Sequence, residues 1–436
     1  MAGGGAPATE PGGAGLAFML RAFRYRNYRL FFGGQIVSLI GTWITLTSTS
    51  WLVYRLTNSA FLLGVVGFAS QFPSFILTPF AGIFVDRWNR HRLLIGTQIC
   101  SMIISFVLAG LTLSDTISIH WLIVVSVFSG IVNAFDMPGR QAFVILLVED
   151  KRDLGNAIAL NSSMFNAARL IGPSIAGTII ALSNEGWCYL LDGVSYFAVI
   201  LALLAMRITH VPPPTSRQES PLDQFREGFR YAWASRPIRS IITLVGLICL
   251  VGVPYSVMMP VFAAEVLGGG ANTLGFLMTA TGCGALLGAL WLASRRTAAG
   301  LSRNIAVAGA LFSCGLMAFS LSRVMWLSVP MLIVTGFGFI AMVASGNTLL
   351  QTIVEDSKRG RVISLFLMAY FGTTPIGSLA AGALSARIGA PITTAVCGLL
   401  CLLGVGWFAS QLKGFDEETA PILTRINAGR PDADPA

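Results

Sequence analysis

The chain has 436 residues, 54% of them hydrophobic and only 11% charged, with a net charge of +9. Soluble domains carry roughly 25% charged residues, so a string of soluble domains is excluded: this chain could not cover its own surface with polar groups. The basic excess sits in short clusters between apolar runs rather than on one domain, which argues against a nucleic-acid partner.

In chain order, the first twenty residues are rich in Gly, Ala and Pro and are expected to be disordered. They lack the basic start, short apolar core and cleavage site of a signal peptide. Arg21, Arg24, Arg26 and Arg29 come next, just before an apolar run too long for a cleaved leader. A bilayer core of roughly 30 Å takes about 20 apolar residues in a helix. Twelve such stretches follow, at about 30–54, 60–84, 93–113, 119–143, 155–182, 187–206, 239–262, 272–294, 303–321, 325–348, 360–385 and 390–411. They are expected to be helices, because lipid offers backbone groups no partners outside the helix. The runs are continuous rather than alternating, unlike the strands of a membrane barrel.

With the N-terminus in the cytoplasm, the loops on the far side hold only Arg55, Arg323 and Arg387. Arg169 lies inside a span, and every other Lys and Arg falls on the cytoplasmic side, as the positive-inside bias requires. The expected location is therefore the plasma (inner) membrane, multi-pass, with both termini cytoplasmic. The longest cytoplasmic connection runs from about Arg207 to Arg236 and contains Pro212, Pro213 and Pro214. It divides the chain into a tail (1–20), a six-helix bundle (21–206), a linker (207–238), a second six-helix bundle (239–411) and a C-terminal tail (412–436).

The two halves repeat one another. Val148-Glu149-Asp150-Lys151 recurs as Val354-Glu355-Asp356 followed by Lys358, and Gly172 and Gly177 recur as Gly377 and Gly382, at offsets of 206 and 205 residues. The expected fold is all-α: a polytopic membrane protein of twelve transmembrane helices in two pseudo-symmetric six-helix bundles. Duplicated bundles around a midplane cavity are a common architecture of secondary transporters.

Nothing in the chain points to an enzyme. There is no GxxxxGK[ST] phosphate loop, no HExxH and no GxSxG. The seven cysteines lie in apolar segments without a CxxC pair, and Cys397 and Cys401 read as small core thiols. With three histidines in all, no metal site and no cofactor is expected. Asp115 and His120 read as a solvated turn.

Between the second and third spans lies Gly82-Ile83-Phe84-Val85-Asp86-Arg87-Trp88-Asn89-Arg90-His91-Arg92. This segment resembles the cytoplasmic signature of the major facilitator superfamily, with Asn89 where that family usually has Gly. Gly82 permits close helix approach, and Asp86 can accept charge-assisted hydrogen bonds from Arg90 or from a neighbouring helix end. The resemblance implies a cytoplasmic gate built from Gly82, Asp86, Arg87, Arg90 and Arg92. The corresponding second-half position, Gly288 to Arg295-Arg296, lacks the acid. Ala168 to Gly177 resembles the kinked Gly-Pro motif of drug/proton antiporters, carried by Gly172, Pro173 and Gly177; a packing kink alone is the other reading. Trp51 to Thr57, Asp136 to Phe143 and Asn156 to Ser162 resemble the branch that contains enterobactin exporters and macrolide efflux pumps. The resemblance covers nearly the whole chain, most strongly residues 24–207, and it implies export driven by the proton gradient.

Charges inside the membrane are costly and are functional candidates by default. Arg169 falls near the middle of the fifth span. Asp136 and Arg140 lie in the fourth, and Asp136 is the expected partner of Arg169 unless Arg169 snorkels to water in the cavity. Asp192 is either the proton carrier or a group paired near the outer interface. The first span has no acid, so proton coupling comes from the resemblance alone. Gln35, Gln71, Asn133, Asn161 and Asn166 either line the cavity or hydrogen-bond between helices. An apolar cavity with few polar anchors suits lipophilic substrates.

The expected function is proton-coupled efflux of lipophilic small molecules (a drug, a macrolide-like compound or a siderophore) by alternating access. The alternatives are import of a small solute on the same scaffold, or a membrane protein that transports nothing. The expected partners are a small-molecule substrate, protons as coupling ion and membrane lipid. Nothing demands an oligomer, so a monomer is expected.

Overall fold

The structure, a computed structural model, describes residues 21–148, 150–208, 221–295, 300–415 and 417–418; within these, nothing is said of the side chains of 79, 82, 83, 85–87, 151, 221–225, 356 and 357. Twelve of its helices are long and apolar enough to cross a membrane. They are α1 (Arg26–Thr57), α2 (Ala60–Arg87), α3 (Arg90–Leu113), α4 (Ile119–Leu146), α5 (Lys151–Leu182), α6 (Glu185–Leu204), α7 (Arg236–Val266), α8 (Ala271–Ala293), α9 (Leu301–Leu321), α10 (Met325–Ile353), α11 (Asp356–Ile388) and α12 (Ala390–Ser410). The chain alternates direction, so α1 begins and α12 ends at the same end of the molecule. We call this the linker end, and the other, where α1 turns into α2, the hairpin end.

The helices run past the apolar stretches because polar caps hold their first turns. Asn89 Oδ1 accepts from the amides of His91 and Arg92, opening α3. Its φ of −66° shows that this turn needs no glycine. Asp150 caps α5 through the Arg152 amide, Asn184 caps α6 through the Gly186 amide, and Ser59 caps α2 through the Leu62 amide.

Packing makes the duplication visible. In the first half, α1 packs on α5 and α6, α4 on α2 and α3, and α3 on α6. In the second half, α7 packs on α11 and α12, α10 on α8 and α9, and α9 on α12. Each pair recurs six helices later. The bundles meet through α5 on α8 and, symmetrically, α11 on α2. Glycine makes both crossings possible. A Cβ on Gly177 would lie 3.3 Å from Gly275 Cα, and a Cβ on Gly382 would lie 2.9 Å from Gly64 Cα. The repeated glycines Gly172 and Gly377 serve the inner contacts, against Trp43 of α1 and against Leu250 and Pro254 of α7.

The symmetry breaks at α7. Where α1 is one continuous helix, α7 passes from an α-helix (Arg236–Leu247) through a π turn (Ile248–Gly252) and a 3-10 segment (Val253–Met258) to a second π turn (Phe262–Val266). Pro254 and Pro260 lack the amide that a regular helix needs there. Thr373 of α11 donates to Gly246 O just before the break. The connection between bundles also holds a helix, Pro221–Ala234, inside the stretch expected to be linker.

Large apolar side chains face outward along the spans, among them Phe80, Phe128, Leu201, Leu290 and Leu403. That outer surface matches a hydrocarbon solvent rather than water.

Candidate functional site

The membrane-embedded charges fall into three separate places. Asp136 on α4 is buried, and its Oδ1 accepts from Thr97 Oγ1 at 2.8 Å and Gln98 Nε2 at 2.7 Å, both on α3. Its Oδ2 pairs with Arg140 one turn along its own helix. The expected Asp136–Arg169 pair is therefore corrected: an i,i+4 neighbour reaches the acid without any tertiary rearrangement, and α3 supplies the remaining donors.

Asp192 on α6 is 1% exposed. Its Oδ2 accepts from Thr45 Oγ1 of α1 at 2.8 Å and Ser105 Oγ of α3 at 2.7 Å. Its Oδ1 is buried with no hydrogen-bond partner, and no Arg or Lys pairs with it among the described residues. Space for the group comes from Gly41, whose missing Cβ would lie 2.5 Å from both Asp192 Oδ1 and Ser195 Oγ. Three helices thus converge on a carboxyl group that has hydroxyl neighbours and no counter-charge. This is an expensive arrangement for a permanent anion.

Arg169 sits in mid-helix on α5 and is half-buried. Its guanidinium lies 5.7 Å from the Trp43 ring centroid of α1, and no hydrogen bond or ion pair to it is found among the described residues. The α5 backbone here faces the second bundle. A Cβ on Gly282 of α8 would lie 3.1 Å from Arg169 O, and Thr279 Oγ1 donates to Leu170 O at 3.3 Å. Arg169 is thus an interior cation at the junction of the bundles, with the Trp43 ring beneath its guanidinium. Gly172 and Pro173 lie one turn further along. Gly172 seats α5 against Trp43, and Pro173 O lies 2.6 Å from where a Cβ of Gly275 would be.

The predicted polar positions are not equivalent. Gln35 is buried, at 2% exposure, and lies on no open surface. Gln71 and Asn166 donate to carbonyls of their own helices, at Gly67 and Ser162. Asn133 is exposed, and Asn161 keeps a buried Oδ1 without a partner. Of the loop cluster, the side chains of Gly82, Asp86 and Arg87 lie outside the described residues. Arg90 opens α3, and the Arg92 amide is held by Asn89.

Sequence reading missed the polar contacts at the hairpin end. Arg55 forms a bidentate pair, at 2.8 and 2.9 Å, with Glu185, which is 1% exposed. Tyr54 Oη donates to Glu265 Oε1 at 2.7 Å, joining α1 to α7 across the bundle interface. Ser174 and Thr279 hydroxyls meet at 2.9 Å across the same interface. The only signal for these was the polar ending of the first span, Tyr54-Arg55-Leu56-Thr57, which does not name its partners.

Comparison with known proteins agrees with this architecture. The profile of a family described as transmembrane secretion effector matches residues 18–428. The Staphyloferrin A transporter of Staphylococcus aureus is 27% identical over 88% of this chain and 96% of its own length. Multidrug efflux pump Tap of Mycolicibacterium fortuitum is 26% identical over 87% of this chain and 95% of its own. Enterobactin exporter EntS of Shigella boydii is 26% identical, covering 87% and 90%. Among solved structures, a POT family transporter in complex with 5-aminolevulinic acid superposes with a TM-score of 0.73 at 10% identity, covering 90% of this chain and 97% of the other. The nucleoside transporter NupG gives 0.64 at 16% identity, covering 91% and 100%. With its duplicated bundles and a profile match across almost its whole length, the chain belongs to the transmembrane secretion effector family of the major facilitator superfamily, and it is a transporter rather than an enzyme.

Proposed function

We propose that the protein exports lipophilic small molecules across the plasma (inner) membrane by alternating access, with protons as the coupling ion. The observation that carries this reading is Asp192: a buried carboxyl group with no cation, one unpartnered oxygen and two hydroxyl donors from other helices. Such a site holds a neutral, protonated carboxyl far more easily than a permanent charge. Loading and release of one proton would change what α1, α3 and α6 can bond to, and α1 in turn carries Trp43 and Tyr54 to the bundle interface. The names of the relatives, a multidrug efflux pump, an enterobactin exporter and a Staphyloferrin A transporter, support small organic substrates.

In this reading the termini are cytoplasmic, as the positive charge distribution favours, and the hairpin end faces out. The glycine crossings between bundles then close the outer half, and the loop cluster Gly82, Asp86, Arg87, Arg90 and Arg92 acts when the cytoplasmic half closes. The molecule works as a monomer.

The test is efflux of a lipophilic fluorescent dye from cells overexpressing the protein, with and without a protonophore. Energy-dependent efflux that the protonophore abolishes is expected. Asp192→Asn should lose uphill efflux while keeping downhill exchange of the same dye, because the amide holds the neutral shape but cannot cycle a proton. Uphill efflux by Asp192→Asn at the wild-type rate removes Asp192 as the carrier. Accumulation of the dye in place of efflux identifies an importer.

A further inference from the structure

We infer that Arg169 is a substrate-binding residue, and that the substrates of this transporter are amphipathic organic anions with a carboxylate or an equivalent planar acid. This rests on the transport reading above and narrows its substrate class. A guanidinium in mid-membrane requires compensation. The other described intramembrane acids leave none for it, since Asp136 is taken by Arg140, Asp192 by the hydroxyls of Thr45 and Ser105, and Glu265, at the hairpin end of α7, by Tyr54. What meets the Arg169 guanidinium is aromatic. Trp43 lies under it and stacks edge-on with Phe165 at 5.7 Å. In the opposite bundle, Tyr370, Phe339 and Phe312 form a row of rings with centroids 6.0 and 5.7 Å apart.

Aromatic faces support a cation weakly. They do not use the five N–H donors of the guanidinium, whose planar fork matches a carboxylate in bidentate geometry. The same rings supply the apolar surface that a lipophilic body would cover. Because the α5 backbone at Arg169 packs directly on α8 of the second bundle, an acid bound there would sit where the two bundles move against each other. A neutral or cationic substrate would leave the guanidinium charge uncompensated. The device therefore discriminates by charge sign rather than by shape.

The experiment uses two probes of one scaffold, a dansyl-labelled medium-chain fatty acid and its primary amide. Both are titrated against the purified protein in lipid nanodiscs, with empty nanodiscs as baseline. The wild type is expected to bind the acid about tenfold more tightly than the amide, the scale of one charge-assisted hydrogen-bonded contact. Arg169→Gln should erase that ratio while leaving amide binding in place, and Arg169→Lys should keep part of it. Equal wild-type affinities, no binding of either probe, or a parallel loss of both in Arg169→Gln with the ratio intact would overturn the assignment. Efflux of both probes from cells separates the two readings. Selective acid binding without any export would sink the exporter and leave the anion site standing. Export of both probes at rates unaffected by Arg169→Gln would do the reverse.

Discussion

Two carboxylates buried in the same bundle are treated in opposite ways, and the difference is chemical rather than positional. Asp136 has a cation and two further donors around its two oxygens. Asp192 has two hydroxyl donors, a bare oxygen and no cation among the described residues. Replacing each by Asn should separate the roles. Asp136→Asn leaves Arg140 without its acid in a mostly apolar setting and is expected to cost about 3 kcal/mol of stability. Asp192→Asn removes an uncompensated acid while its amide oxygen still accepts from Thr45 and Ser105, so stability should be unchanged or higher. Thermal unfolding of the two purified variants in detergent checks both, and equal losses would mean that Asp192 is also held as an ion.

Among helices, the decisive contacts are those that no side chain fills. Gly64 of α2 and Gly177 of α5 sit where a Cβ would lie 2.6 Å from Ser378 O and 2.8 Å from Ala271 O. Because the obstruction is backbone, the helices themselves must separate to admit a larger residue. Gly64→Val is expected to lengthen the distance between spin labels placed at Phe61 and Ile388, on the hairpin end. Gly33→Ala, where nothing lies within 4 Å, should leave it unchanged. The linker helix is held in a different way, by Glu227 pairing with Lys358 and Arg361 at the linker end of α11. The hydrogen bond from Lys358, helped by Arg361, keeps the Glu227 carboxyl below the usual carboxylate range. A depressed acid contributes its stabilisation above its ordinary titration and loses it as the pH falls through the lowered value. Docking of this helix should thus be at full strength from neutral pH down to the ordinary glutamate value and weaken progressively below it. Glu227→Gln should loosen it at neutral pH, with the difference from wild type vanishing at strongly acidic pH. The mobility of a spin label at Arg230, an exposed position of this helix, across the pH series reads this out.

For the molecule as a whole, the hydrogen bond from Tyr54 to Glu265 joins the two bundles beside the Ser174–Thr279 contact and is the easier to isolate. A single hydrogen bond of this kind is worth about 1 kcal/mol net, or roughly a fivefold change in the population of the closed hairpin end. Tyr54→Phe and Glu265→Ala should each shift the label-to-label distance distribution toward the open form by about that factor. The double variant should shift it no further than either single one, because the two residues contribute one interaction between them. Additive shifts would show that each residue acts through other partners. The pair joins α1, which contributes Thr45 to Asp192 and Trp43 to Arg169, to the broken helix α7. A change at Asp192 is thereby placed one helix away from the bundle interface, where Arg169 already sits.

The span count and the duplication were legible from sequence by itself, and for one reason. Lipid as solvent demands about twenty apolar residues per crossing, and each crossing satisfies its own backbone locally. The repeats at Gly172 and Gly377, and at Gly177 and Gly382, can be read as spacing, and the fold turns them into equivalent helix contacts. The break in α7 was half legible, because Pro254 and Pro260 are visible in the sequence but the extent and type of the turns around them are not. The charges were legible as candidates and not as partners. The sequence suggests a distant arginine for Asp136, although Arg140 stands one helical turn away. Asp192 takes its donors from helices 147 and 87 residues earlier in the chain. Only the tertiary structure decided which cation is left over, because partnership inside a membrane is settled by which helix faces meet, and hydropathy carries no record of that.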